Sequence, residues 1–358
     1  MSLIVTAYFL GMAAGQLVWG LPSDRIGRRA ALLGGLTLYG IGAAGAAMSN
    51  TMTTLLVARF IWGLGAAGPG VLRNSIARDL YSGDRLARIT SLTMAIFLIG
   101  PAVAPSVGEL ILLGDDWRLV FAAAVPLSVV GIVWAFRFGE TMAPENARPF
   151  DFRTIRRGTS VFFRTRTTIG YSAAITTSSG AFFIYLGSGQ PIVDEIYGYG
   201  DWFALTFFAT AACIGVTVWV SSRYISRFGA DAVGSLATKV MVSTAAAFAI
   251  TCLATGGKPP FGVWMFFVSV FASSTTVSTP AFVALAMTPM ARIAGTASAL
   301  NGVLTIGVAS LLAVVFDRMI DDTVTPMAMG FVVYSSMSFL LARWARGGSM
   351  EIVDPELV

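Results

Sequence analysis

The sequence predicts an all-α polytopic membrane protein of eleven transmembrane helices in two pseudo-symmetric bundles, and three observations predict it. The 358 residues are 56% hydrophobic and 12% charged, with a mean hydropathy of +0.75, whereas about a quarter of the residues in soluble domains are charged. The apolar residues come in runs of roughly 20, enough to cross a hydrocarbon core of about 30 Å as helices. The basic residues are sorted between alternate loops, as multi-span topology requires. Alternating ten-residue segments of the kind a membrane β-barrel needs are not seen.

The spans are read at 2–21, 30–49, 53–72, 89–112, 118–137, 168–190, 202–222, 232–254, 261–284, 294–316 and 326–343. The first two flank residues 20–29, GLPSDRIGRR, a short turn with three arginines. Basic loops are retained in the cytoplasm, so this turn sets the orientation of everything after it. On that reading nineteen of the 24 Lys and Arg fall in cytoplasmic connections or the tail. The opposite loops hold Arg118, Lys258 and Arg318, beside Asp115, Asp116, Asp194, Glu195, Asp321 and Asp322. The expected location is the inner (plasma) membrane, multi-pass, with the N-terminus outside and the C-terminus in the cytoplasm.

The charge balance therefore reflects topology, and the pI near 9.5 does not imply a nucleic-acid partner. Histidine is absent and Cys213 and Cys252 lie inside apolar spans, so no disulfide framework, metal site or histidine-based catalysis is expected. No catalytic residue is predicted. With no G-x-x-x-x-G-K-[ST] pattern and no soluble domain to hold one, no nucleotide or other cofactor is implied.

Four divisions follow: an N-terminal bundle of five spans at 1–137, a central cytoplasmic loop at 138–167, a C-terminal bundle of six spans at 168–345 and a cytoplasmic tail at 346–358. The central loop carries Pro144, Pro149 and seven arginines if Arg137 at its edge is counted. Two similar bundles around such a loop are the mark of a transporter built from two halves. Residues 222–229, SRYISRFG, copy the first turn, with Ser226 in place of Asp24 and with Arg227 and Gly229 matching Arg25 and Gly27. One span of the C-terminal bundle precedes the copy and none precedes the original in register, so the N-terminal bundle is expected to lack the counterpart of a first helix.

Within the first turn, Gly20 lets helices approach, Gly27 permits a positive φ, and Asp24 accepts from a helix N-terminus or an arginine. A purely topogenic loop is the alternative, but topology needs no acid at Asp24. Residues 55–80, LLVARFIWGLGAAGPGVLRNSIARDL, put Arg59 about two turns inside the membrane. A charge there costs about 2.5–3.5 kcal/mol on the insertion scale, so a partner or a water-filled cavity is expected; snorkelling to the outer interface is the competing reading. Lys239, inside its own span, is read as snorkelling. Residues 99–112, IGPAVAPSVGELIL, combine the helix-bending Pro101 and Pro105 with Gly100 and Gly108, and place Glu109 near the outer end of the span. Glu109 either titrates or pairs with Arg59, or is an interfacial acid facing water.

These three segments together resemble the motifs of the major facilitator superfamily. Within it, they resemble the drug:proton antiporters of the bicyclomycin/chloramphenicol-resistance type. Gly20, Asp24, Arg25, Gly27, Arg28 and Arg29 meet that superfamily's pattern Gly-x-x-x-Asp-Arg-x-Gly-Arg-Arg. The resemblance implies a cytoplasmic latch between the two halves, with Arg73, Arg78 and Asp79 as partners. It associates Arg59 with proton coupling and makes Gly100, Pro101, Pro105 and Gly108 the antiporter motif, with Glu109 standing where a second glycine is usual. Residues 287–300 and 172–198 resemble the family's eleventh and seventh helices.

Phe182, Phe183, Tyr185, Trp264, Phe267, Phe271, Ser273 and Ser274 are candidates for a substrate cavity, since aromatics suit flat lipophilic compounds and hydroxyls offer adaptable hydrogen bonds. Each aromatic reads equally as lipid-facing. The function these readings imply is proton-driven export of small drug-like compounds by a monomer working through alternating access. A facilitator of a sugar or organic metabolite would share the first motif but lack the Gly100 and Pro101 pattern. A truncated, non-transporting membrane protein is the other alternative, and an intramembrane enzyme has no dyad or metal cluster to work with.

Overall fold

Long helices follow from the apolar runs because a backbone in lipid must satisfy its own polar groups. The computed structural model describes residues 2–20, 22–81, 83–112, 114, 116–142 and 152–352, and those residues form helices and connections with no strand. The helices are α1 (Ser2–Gly20), α2 (Ser23–Ile26), α3 (Arg28–Ala47), α4 (Met52–Leu80), α5 (Gly83–Leu112), α6 (Arg118–Ala122), α7 (Ala124–Phe138), α8 (Phe152–Arg164) and α9 (Arg166–Pro191). Then come α10 (Phe203–Phe228), α11 (Ala230–Ala254), α12 (Phe261–Met287), α13 (Ala294–Gly302), α14 (Ala309–Asp317) and α15 (Thr325–Ala345).

Eight stretches of the described chain are long and apolar enough to cross a membrane. One of them, Phe261–Asp317, has 57 residues, about 85 Å of helix at 1.5 Å per residue. A 3₁₀ segment at Thr288–Ile293 divides it into α12 and the pair α13–α14. Beside these stretches, α5 has 30 residues and α9 has 26, both of bilayer length as helices.

Several boundaries differ from the sequence reading. α4 continues to Leu80, past the expected end at 72, because nothing between Arg73 and Leu80 breaks a helix. α5 likewise begins at Gly83 rather than 89. The central connection contains a helix, α8, whose Val161 and Phe162 are buried while Arg156 and Arg157 are exposed. The span read at 294–316 is interrupted by a π-helical turn at Val303–Val308.

The chain divides into two compact units. One comprises Leu3–Ile155 with Ser298–Gly307, the other Arg156–Ala297 with Val308–Val358. In the first unit α3 packs on α4 and α7, and the α3–α4 contact is close because glycines face backbone: a Cβ on Gly65 would collide with Tyr39 N and one on Gly42 with Trp62 N. In the second unit α9 is covered by α12, α14 and α15. Some of its hydroxyls bond back to the helix itself, with Thr176 donating to Ser172 O at 2.8 Å and Ser178 to Ile175 O at 3.0 Å, and others to neighbours, as Thr168 to Ala286 O at 3.0 Å, which lets a Ser/Thr-rich helix sit in an apolar bundle.

The two turns of the internal repeat have one geometry. Gly27 lies at φ 91°, ψ 156° and Gly229 at φ 83°, ψ 160°, each as the residue between two helices. Only glycine takes that region without strain.

Candidate functional site

The turn at α1–α3 is held by side chains from three later positions. The Arg28 side chain is buried, and its Nε donates to Asp79 Oδ2 at the end of α4 at 3.0 Å, while Nη1 donates to Ser23 Oγ at 2.9 Å. Thr141 Oγ1 also donates to Asp79 Oδ2, at 3.4 Å. The guanidinium of Arg29 donates to Phe136 O at 2.9 Å and stacks 4.5 Å from the Phe136 ring centroid. Arg25 is exposed.

The third residue is Glu140, just past α7. Its carboxylate accepts from the backbone N–H of Arg28 at 2.9 Å and of Arg29 at 3.1 Å. It therefore caps the N-terminus of α3, where unpaired N–H groups and the helix dipole both favour an anion. Glu140 also accepts from the N–H of Thr141 and Met142, each at 3.0 Å. Burial acts to raise its pKa, but the backbone bonds from Met142, Arg28, Arg29 and Thr141 outweigh it and hold the carboxyl below its ordinary value of 4.5. A Cβ on Gly27 would strike the Glu140 carboxylate, so both the positive φ and the space demand glycine there.

Among the expected partners of the turn, Asp79 is in the network. Arg73 is half-buried, and exposed Arg78 reaches Ser75 Oγ at 3.5 Å. Gly20 faces Val71 and Ala299. The side chains of Asp24, Pro101 and Pro105 lie outside the described residues.

Arg59 sits in a box of rings. Its guanidinium is 4.9 Å from the Tyr8 ring centroid, 5.0 Å from Trp62 and 5.6 Å from Phe121, and Nε donates to Ile4 O at 3.3 Å. Tyr8, Tyr39 and Phe121 each meet Trp62 edge-on, which fixes the walls of the box. Cation–π contacts of this kind are worth up to about 2 kcal/mol each when desolvated. Among the described residues no carboxylate pairs with Arg59. Glu109, on α5, is exposed, as is Gly100, while Gly108 is partly covered; a Cβ on either glycine would meet nothing within 4 Å.

In the second unit the predicted cavity aromatics enter the bundle core. Trp264 and Phe271 are buried, Phe271 stacks on Phe331 with centroids 3.9 Å apart, and Phe267 on Phe248 at 5.4 Å. Ser273 and Ser274 are buried beside them. Tyr185 stacks on Phe207 at 5.7 Å, and half-buried Phe182 lies 6.2 Å from Tyr185; Phe183 is half-buried on the same helix.

Two acids were missed. Glu140 gave one sign in the sequence, a glycine followed by an acid at the end of a span. Asp317, the last residue of α14, accepts a hydrogen bond from Ser188 of α9; its position one residue beyond the expected span made it read as loop.

The model of the Major Facilitator Superfamily matches residues 1–314. The bicyclomycin resistance protein homolog of Haemophilus influenzae is 28% identical over 340 residues, covering 93% of this chain and 84% of that protein. The multidrug resistance protein MdtL of Escherichia fergusonii is 26% identical over 301 residues, covering 83% and 74%. The crystal structure of a D-xylose–proton symporter superposes with a TM-score of 0.77 at 14% identity, covering 99% of this chain and 88% of that one, a likeness of fold.

Proposed function

The chain belongs to the major facilitator superfamily, and on that premise we propose that it exports small lipophilic, drug-like compounds in exchange for protons, by alternating access. The observation that carries the reading is the similarity, over most of the chain, to proteins named for bicyclomycin and multidrug resistance. We further propose that it is a monomer of the inner (plasma) membrane, and the sorting of its arginines supports an N-terminus outside and a C-terminus in the cytoplasm.

In this mechanism the network of Arg28, Asp79 and Glu140 makes the cytoplasmic turn a rigid block. Asp24, Arg25 and Arg29 then act at its edge as the latch that forms in one state and parts in the other. Arg59 is the coupling cation: rings hold it without neutralising it, so a carboxylate or an anionic group arriving beside it is stabilised in its charged form. Glu109 is the carboxylate proposed to carry the proton, on α5 beside the proposed antiporter motif of Gly100, Pro101, Pro105 and Gly108. Phe182, Phe183 and Tyr185 are proposed as the substrate-facing aromatics of α9. Trp264, Phe267, Phe271, Ser273 and Ser274 back them from α12.

The test is drug susceptibility of an efflux-deficient host expressing the chain. Resistance to lipophilic antibiotics should rise, and a proton uncoupler should abolish the rise. Unchanged susceptibility with the protein present in the membrane would refute export.

A further inference from the structure

Lys239 is nine residues into α11, which begins at Ala230, so its Cα is about 14 Å along the helix. Lys239 is exposed, and an ammonium within an apolar span needs water, an anion or a reach to the interface. The structure supplies a cavity of about 190 Å³ lined by Ser235, Thr238 and Lys239 of α11, Phe282 of α12, and Arg343 and Arg346 at the end of α15. Three cations thus share one small space.

One acid answers one of them. Arg346 Nε donates to Asp231 Oδ1 at 2.9 Å, and the Tyr171 hydroxyl donates to the same oxygen at 3.2 Å. Among the described residues no acid pairs with Lys239 or Arg343. Two like charges kept together beside low-dielectric surroundings repel, and an anion between them reverses the sign of the interaction. The surroundings are apolar: Leu236 and Val240 next to Lys239, and Leu340 and Trp344 next to Arg343, are all exposed on the outside of the unit. An anion reaching this cavity therefore arrives from lipid as readily as from water.

We propose that the cavity binds the phosphodiester headgroup of an anionic phospholipid, in the leaflet at the Arg343 end of α15. Lys239 and Arg343 take the phosphate. Ser235 is available to hydrogen-bond the glycerol oxygens, and the Thr238 oxygen to accept from a headgroup hydroxyl, since its own proton goes to Gly234 O at 2.7 Å. The acyl chains lie against the exposed apolar side chains of α11 and α15. Such basic pockets between helices at the cytoplasmic side suit acidic headgroups.

The purified full chain is reconstituted in phosphatidylcholine with increasing phosphatidylglycerol, and retained lipid is counted by native mass spectrometry. Phosphatidylglycerol should be retained selectively. The variant Lys239→Gln with Arg343→Gln should retain about thirtyfold less, at about fivefold per charge, while Lys239→Arg should match the parent. If the double variant does not fold, Lys239→Gln alone is read in the same way. Equal retention by parent and variant, or equal retention of the two lipids by the parent, overturns the proposal. Inorganic phosphate is the arm for a free anion: it should neither displace the lipid nor raise the melting midpoint, and doing both would replace the lipid with the soluble ion.

Discussion

The backbone N–H of Arg28 donates to Glu140 Oε1 at 2.9 Å across 112 residues of sequence, so the first residue of α3 is capped by the chain that leaves α7. The same residue ties its side chain to Asp79 at the end of α4. Three helix ends meet at one arginine.

The cap is tested by pH. Glu140 has a folded pKa below its ordinary 4.5, so its contribution to stability is complete above about pH 4.5 and is lost as pH falls through the lower folded value. Glu140→Gln should lower stability at neutral pH by about 1 kcal/mol, the size of a lost cap reduced by solvent screening. Its melting midpoint should also fall less steeply below pH 4.5 than the parent's. Parallel acid profiles for parent and variant would remove Glu140 as the titrating group.

Asp79→Ala removes a charge-assisted contact from the Arg28 guanidinium and should cost about 1.5–3 kcal/mol. Replacing both, Arg28→Met with Asp79→Leu, should restore most of that loss, because two apolar side chains leave no charge stranded. Thermal unfolding in detergent measures both, and a double variant no more stable than Asp79→Ala alone would count against the pair.

For the latch, Asp24→Asn keeps shape and leaves every arginine in place. Membrane insertion should be normal and drug export should fall by about tenfold or more, the loss of one charge-assisted contact. Export at the parental rate would reduce the turn to topology.

Arg59 and Glu109 are distinguished by how their variants fail. Arg59→Lys should keep part of the proton-driven transport, since an ammonium still sits against Tyr8, Trp62 and Phe121, and Arg59→Gln should lose it. Glu109→Gln should abolish uphill transport while downhill exchange of substrate persists. Proton uptake measured beside drug transport in vesicles separates the two outcomes, and undiminished coupling in Glu109→Gln would take Glu109 out of the mechanism.

Much of the architecture was legible because it is written in local quantities: run length gives the spans and loop charge gives the alternation. The paired turns were legible too, and Gly27 and Gly229 share one backbone geometry. What was not legible depends on partners far away in sequence. Arg59 called for a partner or a water-filled cavity, and nothing near it in sequence announced that Tyr8 of α1 and Phe121 of α6 would join Trp62 around it. Trp264, Phe267 and Phe271 announced aromatic surface without saying which way it faced, and Phe248 and Phe331 turn it inward. Helix ends were misjudged where polar residues continue a helix beyond the apolar run, as from Arg73 to Leu80.

The cap on α3 also carries a schedule. A ribosome that has made the first turn must still add more than a hundred residues before Glu140 exists to close it. Until then the amides of Arg28 and Arg29 are left to water or lipid phosphate. The turn that orients the chain is thus inserted early and fastened late, and the fastening waits on the chain that leaves α7.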